Sequence, residues 1–497
     1  MRFNHSTRWL GALAVLALSV AVPAAASAET LSAEEAVRLA AQQNPTLKAA
    51  LLDTAAARQA TQGEENARVP TFAASAQGSY SENIGSDSRT DSEAVQGSAA
   101  FQFSTDIGTQ IETGVESNIG WRNLNSFGVT SLNGAPTTSA DAYLSVRQPL
   151  LRGAGEDSVL ASLEQARASE KQAELSRDLT ASQTALDVMN AYWELWYAEK
   201  AVTVQEQALT IAKKQVADAE AREGTLGVGS KVDVLSFASS EAAIEEALSS
   251  ARTTRDTKAI ALGRVLGMSP AASVDLSASS EPPMTAKAPE TISTTTLAQR
   301  SPELLGLRSQ LDAADIRIQS AADAALPKLD VFSKLSVGAV WLDDSYSGFA
   351  LPGGRPAFTI MAGIELEIPM GESKADAEAA RARTQKEALA QRYQAKADSI
   401  EAEVSSLGVE LGAADRQVEL STKTAKISSQ LAEAERQRMA LGTGDPTDVV
   451  KAEQSAREAE LKRLRAVVSR ATTQLSFEHS SGALLDRFGS VFGKRSS

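Results

Sequence analysis

The sequence of this 497-residue chain contains two copies of one pattern, and a tandem repeat restricts the architecture more than any single motif does. Pro70 and Pro327 both follow helical segments and lie 257 positions apart. The segments LGVGSKVDVL at 226–235 and LGTGDPTDVV at 441–450 match at a spacing of 215. We therefore predict a tandem duplication whose two copies share one order of elements.

Each copy reads as a helix, strands, a long helix, a glycine-rich turn and a return helix. No proline occurs from 156 to 223, and a helix of that extent is about 100 Å long. Aromatic residues at helical spacing within it are predicted core: Tyr192, Trp193, Trp196 and Tyr197. The predicted boundaries are a first repeat at 29–268 (helix 32–68, strands within 71–150, long helix 156–223, return helix 231–266), a connector rich in Pro, Ala and Ser at 269–293, a second repeat at 294–482 (strands 329–341 and 357–368, long helix 374–440, return helix 447–477) and a C-terminal tail at 483–497.

The first 28 residues predict a cleaved secretory signal peptide. Arg2 and Arg8 form a positive region, residues 10–22 are apolar, and Ala-Ser-Ala at 26–28 is a small-x-small cleavage site. This apolar run is short for a membrane span, and no later segment is apolar for long enough to be a transmembrane helix. A secreted chain of this kind can still enter a membrane if it contributes strands to a closed barrel.

The composition excludes most catalytic chemistry. The chain has no cysteine and only two histidines, so it lacks thiolate ligands, thiol nucleophiles and all but two imidazoles. The formal net charge of -14 argues against a nucleic-acid partner, because phosphate neutralisation needs clustered Lys and Arg. We therefore expect no enzyme activity, no catalytic residue, no cofactor, no metal site and no nucleic-acid binding.

Polar and apolar residues alternate where strands are predicted. Ile111, Val115 and Ile119 share one face of a strand and glutamate and glycine occupy the other, and residues 358–368 alternate in the same way. Such strands are typical of a membrane barrel wall. Alternation alone also fits a soluble half-buried sheet, so both interpretations stay open at this point.

At these residues the chain resembles the TolC family of outer membrane efflux proteins. The resemblance rests on the signal peptide, the duplication, the strand end QPLLRG at 148–153 and the two turns, LGVG at 226–229 followed by Asp233 and LGTG at 441–444 followed by Asp448. It covers nearly the whole mature chain. It implies an α+β membrane protein of Gram-negative bacteria with two tandem repeats per protomer, which forms a homotrimeric outer membrane β-barrel continued by a long antiparallel α-helical coiled-coil barrel in the periplasm.

The resemblance also implies a function. Such a protein is the passive exit duct of a tripartite efflux pump or a type I secretion system, which exports small molecules or proteins across the outer membrane. Its partners are outer membrane lipid, a periplasmic adaptor (membrane fusion) protein and an inner membrane transporter. The alternative is a secreted periplasmic coiled-coil interaction or structural protein without channel activity. The sequence names neither the cargo nor the transporter.

The turns are the candidate functional sites that the resemblance implies. Adaptor contact would fall on six residues: Gly227, Val228, Gly229, Gly442, Thr443 and Gly444. Asp233, Asp448 and Lys451 are the candidates for a gate at the tunnel mouth. Simpler roles are also available, since glycine permits a helix to end and an acidic residue is favoured in the first turn of a helix.

The first copy departs from the family pattern of two strands per copy. It offers four strand candidates, near 71–80, 98–105, 110–121 and 142–150, and the surplus is a hairpin that turns at 106–108. Pro149 and Pro369 lie only 220 positions apart, so the first copy carries about 37 extra residues. The hairpin would widen the barrel from 12 strands to 18 or would lie outside the wall. A loop at 123–140 rich in Gly, Ser, Thr and Asn suits the extracellular end.

Overall fold

The computed structural model describes residues 30–84, 88–126, 129–133, 137–224, 230–283, 294–342 and 355–492. They divide into two compact units. The helical unit comprises 30–40, 187–283 and 416–472, and the sheet unit comprises 41–186, 294–415 and 473–492. Each unit takes segments from both predicted repeats. The predicted signal peptide lies outside the described residues.

Helices make up most of the described chain. They are α1 (Ala33–Gln43), α2 (Pro45–Asn66), α3 (Glu156–Val159), α4 (Ala161–Gly224), α5 (Lys231–Leu266), α6 (Pro270–Ser273), α7 (Thr294–Arg300), α8 (Pro302–Ala324), α9 (Lys374–Ala440), α10 (Pro446–Ser480) and α11 (Ala483–Phe488). The strands are β1 (Thr30–Leu31), β2 (Thr71–Ile84), β3 (Ser88–Ser104), β4 (Gln110–Ser126), β5 (Val129–Asn133), β6 (Thr137–Pro149), β7 (Ser277–Ala278), β8 (Lys328–Leu342) and β9 (Arg355–Glu367).

The sheet unit contains one antiparallel sheet in the order β2-β3-β4-β6-β8-β9, with the short β5 paired only to β4. The helices that precede β2 and β8 share a proline at their start but differ in their caps. Asn44 caps α2 by accepting from the Leu47 N–H at 3.0 Å, and α2 and α8 both carry proline at the first helical position.

The strands of the first copy are longer than predicted. β3 begins at Ser88, ten residues before the expected start, and it carries Asp91 and Glu93. β4 continues to Ser126, and β5 and the start of β6 occupy part of the predicted loop at 123–140. The added strand residues are mainly charged or small, so a prediction from hydrophobic alternation does not detect them. Main-chain hydrogen bonds to the neighbouring strands hold them in the sheet.

The predicted long helix at 156–223 is interrupted. α3 ends at Val159 and α4 begins at Ala161, although the segment contains no proline. The Asp323 carboxylate at the end of α8 accepts from the Gly153 N–H at 2.9 Å and from the Ser158 hydroxyl at 2.7 Å. These long-range bonds hold the segment before α4 against the end of α8, and the break itself is one residue long, since the Leu160 N–H still donates to the Glu156 carbonyl at 2.8 Å.

The predicted connector and tail both contain regular structure. In the helical unit, β7 of the connector pairs in parallel with β1, so that Thr30 lies opposite Ser277. In the sheet unit, the tail begins with α11, and Leu485 packs against Leu47 and Ala181. Burial of α11 explains its order, because a short helix is stable only when an apolar face is covered.

The helical unit has a core of aromatic and aliphatic residues. Tyr192 is completely buried, Trp193 is 3% exposed and Trp196 is 5% exposed, as expected from their spacing. The Tyr192 hydroxyl donates to the Leu31 carbonyl and accepts from the Ser280 N–H, each at 2.8 Å. The core tyrosine therefore joins the first strand of the unit to the connector.

Candidate functional site

The glycine-rich turn of the first copy lies outside the described residues. Gly227, Val228 and Gly229 therefore remain predictions from the sequence. The flanking helices are described: α4 ends at Gly224, and α5 begins at Lys231 after the Ser230 hydroxyl accepts from the Val232 N–H at 3.1 Å.

The turn of the second copy, residues 441–445, ends α9 with a Schellman motif. The Thr443 N–H donates to the Arg438 carbonyl at 3.0 Å, and the Gly442 N–H donates to the Met439 carbonyl at 3.1 Å. Gly442 has a φ of 77°, a left-handed conformation that glycine adopts without strain. The Thr443 hydroxyl also donates to the Arg438 carbonyl, at 3.2 Å, and the residue is exposed to solvent.

Gly444 serves this turn in a different way from Gly442. A Cβ at Gly444 would lie 2.7 Å from the Met439 nitrogen and 2.9 Å from its Cα, whereas a Cβ at Gly442 would meet nothing within 4 Å. Gly444 therefore allows the chain to pass close to the end of α9, and Gly442 allows the change of direction. The simpler structural role of these glycines has direct support.

Asp445 begins the return helix, and the sequence prediction missed it. Its carboxylate accepts from the Thr447 N–H at 2.7 Å, and its carbonyl accepts from the Asp448 N–H at 3.1 Å. The Thr447 N–H, the Thr447 hydroxyl and the charge of Lys451 hold the Asp445 pKa below its usual value. An aspartate directly before a proline at the first helical position is a recognisable cap signal.

The three gate candidates occupy different environments. Asp233 lies in the first turn of α5 and is half-buried, and Asp448 lies in the first turn of α10 and is exposed. Lys451 is exposed one turn later. Within the described part of the chain no ion pair joins Asp448 to Lys451, and the lysine charge acts on Asp445. These positions leave the predicted gate role as a proposal.

A small core lies beneath the turn and joins helices of both copies within the helical unit. Phe237 of α5, Ala219 of α4 and Val449 of α10 are buried against one another. The Arg222 guanidinium donates to the carbonyl of Met439, just before the turn, at 3.2 Å. This group, which we call the tip core, fixes the ends of four helices relative to one another.

A charged pair lies further along the same helices. The Arg436 Nε is 2.9 Å from the Glu453 Oε1, although the geometry does not satisfy a hydrogen bond. Burial raises the pKa of Glu453, against the opposing effect of Arg436. Burial also lowers the pKa of Arg457. The helices therefore enclose ionisable groups in a partly desolvated layer beyond the tip core.

One face of the sheet is apolar and exposed. Cross-strand register places its large side chains on the same face of all six long strands. They are 39% to 72% exposed and comprise Phe72, Tyr80, Ile84, Val95, Phe101, Val115, Leu144, Val331, Val337, Phe358, Ile360, Ile364 and Leu366. An exposed apolar surface of this extent indicates contact with a membrane or with another protein.

The opposite face of the sheet is polar. Near the ends of β6, β8 and β9, the Arg147 Nη1 lies 2.9 Å from the Asp330 Oδ2 and 2.6 Å from the Glu365 Oε2. The Lys328 Nζ lies 2.7 Å from the same glutamate. The Lys334 ammonium lies 4.3 Å from the centre of the Tyr143 ring. Ion pairs and small polar residues make this face suited to water.

The described helices contain no segment that is both long enough and apolar enough to cross a membrane. Among the described residues, no group of three or more His, Cys, Asp and Glu side chains could hold a metal ion.

The chain therefore combines a sheet that has one exposed apolar face and one polar face with helices of 64 and 67 residues. Residues 295–483 match the family model described as outer membrane efflux protein. No curated protein sequence matches the chain.

Solved structures agree with the family match. The CmeC outer membrane channel of Campylobacter jejuni is 14% identical, with a TM-score of 0.67 over 93% of this chain and 90% of that one. VceC of Vibrio cholerae is 15% identical, with a TM-score of 0.66 over 90% of this chain and 96% of that one. The open state of the MtrE channel of Neisseria gonorrhoeae is 18% identical, with a TM-score of 0.64 over 90% and 88%. At these identities the likeness shows the fold. Together the matches confirm the predicted resemblance to the TolC family.

Proposed function

We propose that this protein is a homotrimeric outer membrane channel that serves as the exit duct of a tripartite efflux pump or a type I secretion system. The observation that carries the proposal is the sheet, whose exposed apolar face suits lipid and whose polar face suits a water-filled passage. In a secreted coiled-coil protein this apolar face would be exposed to water, which is unfavourable. The helical part would lie in the periplasm, and energy would come from an inner membrane transporter through an adaptor.

The channel part of the proposal is tested on the detergent-extracted full-length protein. We expect a particle of three chains by native mass measurement and stepwise potassium chloride conductance in planar lipid bilayers. A monomer recovered from the soluble periplasm, with no conductance, would reject it.

We also propose that the turn at 441–445 contacts the adaptor. Its exposed Thr443 side chain on a rigid Schellman turn is a defined surface feature, and the tip core holds it in place. Asp233, Asp448 and Lys451 are proposed to line the tunnel mouth nearby.

The adaptor proposal is tested with Thr443→Arg, which adds a bulky charge without disturbing the glycines. The matched control is Thr424→Arg, because Thr424 is also exposed and also donates to a main-chain carbonyl, but lies within α9 and away from the turn. In cells whose ethidium export requires the natural channel, we expect ethidium to accumulate with the first variant and not with the second. Equal ethidium export by both variants, at equal channel levels, would remove this turn from the mechanism.

A further inference from the structure

We infer that the hairpin β3–β4 is part of the barrel wall, so that three copies of this chain close an 18-stranded barrel. The inference rests on the trimer proposed above and goes beyond it. Without the hairpin each copy would contribute four strands, and three copies would close a barrel of 12 strands. Three copies with six strands each give a barrel in the size range that leaves an aqueous channel.

The hairpin accounts for the surplus length of the first copy. β3, its turn and β4 run from residue 88 to residue 126, which is 39 residues, and the first copy exceeds the second by about 37 between the matching prolines. The duplication is therefore complete without the hairpin. Two strands in each of the two copies give four strands, and the hairpin raises the number to six.

The hairpin is hydrogen-bonded to the sheet on both sides. β3 pairs with β2 along all 14 residues of β2, and β4 pairs with β6 from Gln110 to Gly120. In the described sheet β2 and β6 do not pair with each other. If the hairpin lay outside the wall, β2 would lose its only partner in the described sheet, and β6 would keep only β8.

Side chains continue the two faces of the sheet across the hairpin. On the apolar face, the Phe72 and Phe101 rings have centroids 4.9 Å apart. On the polar face, the hydroxyls of Ser75 and Ser98 lie 2.8 Å apart, and the Tyr143 hydroxyl donates to Glu112 at 2.5 Å. The hairpin therefore has an apolar face and a polar face, and each is continuous with the same face of the neighbouring strands.

The turn of the hairpin is bound at both sides. Asp106 pairs with Arg68, just before β2, at 2.7 Å. The Ile107 carbonyl accepts from the Gly155 N–H, just before α3, at 3.3 Å. Gly108 has a φ of 88°, and a Cβ there would lie 2.6 Å from the Gly153 carbonyl oxygen. The turn thus sits in the rim of the sheet between the segments that enter β2 and leave β6.

The sheet has two open edges that complement each other. β2 and β9 have 14 and 13 residues, and both lack a neighbour on one side in the described chain. All neighbouring pairs along the sheet are antiparallel and the number of strands is even, so β2 and β9 run in opposite directions. β9 of one copy can therefore pair with β2 of the next in the same antiparallel pattern. Within lipid, unpaired edges must be satisfied in this way.

A wall of 18 strands has a functional consequence. Barrel diameter grows roughly linearly with strand number, so the passage would be about one and a half times as wide as with 12 strands. Each open edge of the sheet therefore pairs with a second copy of this chain. The wider exit suits bulky cargo molecules or several molecules at once.

The test uses single cysteines, because the natural chain has none. Val95 and Gln96 are neighbours on β3 that belong to the apolar and polar faces, and Ile360 and Met361 are the matched control pair on β9. Full-length trimers in outer membranes are treated with a charged, membrane-impermeant maleimide. We expect Gln96→Cys and Met361→Cys to react and Val95→Cys and Ile360→Cys to be protected.

The outcomes separate this inference from the proposed function. If the β9 pair alternates but the β3 pair reacts alike, the hairpin lies outside the wall and the inference fails while the channel stands. If neither pair alternates and the protein is soluble, both fail. As a second measurement, deletion of 88–126 should reduce the barrel diameter in end-on electron microscopy averages by about one third. An unchanged diameter would overturn the inference.

Discussion

Truncation of Phe237 tests whether the tip core holds the turn in place. Phe237 is 3% exposed and packs against Ala219 and Val449, so Phe237→Ala should destabilise the helix ends by about 3–5 kcal/mol. We expect the loss to be local, because this core lies near helix ends that can open without global unfolding. A change of about 3 kcal/mol corresponds to roughly a hundredfold or more in the opening equilibrium.

The assay is hydrogen exchange measured by mass spectrometry on the full-length protein in detergent. Peptides from 231–240 and 446–455 should exchange roughly a hundredfold faster in Phe237→Ala, whereas peptides from the sheet should not change. Phe237→Leu, which nearly conserves volume, should cost less than about 1.5 kcal/mol. The reasoning is refuted if Phe237→Ala leaves exchange at the helix ends within about threefold of the natural protein.

Three further predictions concern single residues. Gly444→Ala should disturb the turn more than Gly442→Ala, whose cost should be about 1–2 kcal/mol of backbone strain, as measured by exchange of the amides at 438–447. Tyr192→Phe should destabilise the helical unit by about 1–3 kcal/mol in denaturant unfolding, because two main-chain partners lose the hydroxyl; no change would mean that water replaces it. Since the Asp445 pKa is lowered on folding, its capping contribution is present above about pH 4 and lost as pH falls, so acid should reduce the protection factors of amides at the start of α10, corrected for the intrinsic exchange rate, in the natural protein but not in Asp445→Asn.

The long helices were the part of the fold closest to the sequence pattern. The spacing of apolar residues predicts a helix over 374–440, and α9 occupies Lys374–Ala440. Apolar periodicity is a local property, and it persists whatever the helix packs against. The hydrogen bonds from Gly153 and Ser158 to Asp323, more than 150 residues away, are not predictable in this way, because no local pattern encodes them.

The candidate site shows the same division. The glycines of LGTG predict a turn, and the Schellman bonds join that turn to the last residues of α9. The sequence does not show that Gly442 adopts a positive φ and that Gly444 lies close to the main chain of Met439. These different roles are visible only in the folded turn. The effect of Lys451 on Asp445 also depends on how the turn folds.

The sequence by itself determined the periodicity of each segment, the duplication, the positions of the turns and the surplus length of the first copy. The tertiary structure decided the partners: β3 and β4 pair inside the sheet, β7 pairs with β1, and Phe237 meets Ala219 and Val449. The physical reason is that helix and strand periodicity arise from residues close in the chain, whereas strand order and core contacts depend on which distant segments compete for the same hydrogen bonds and the same buried space.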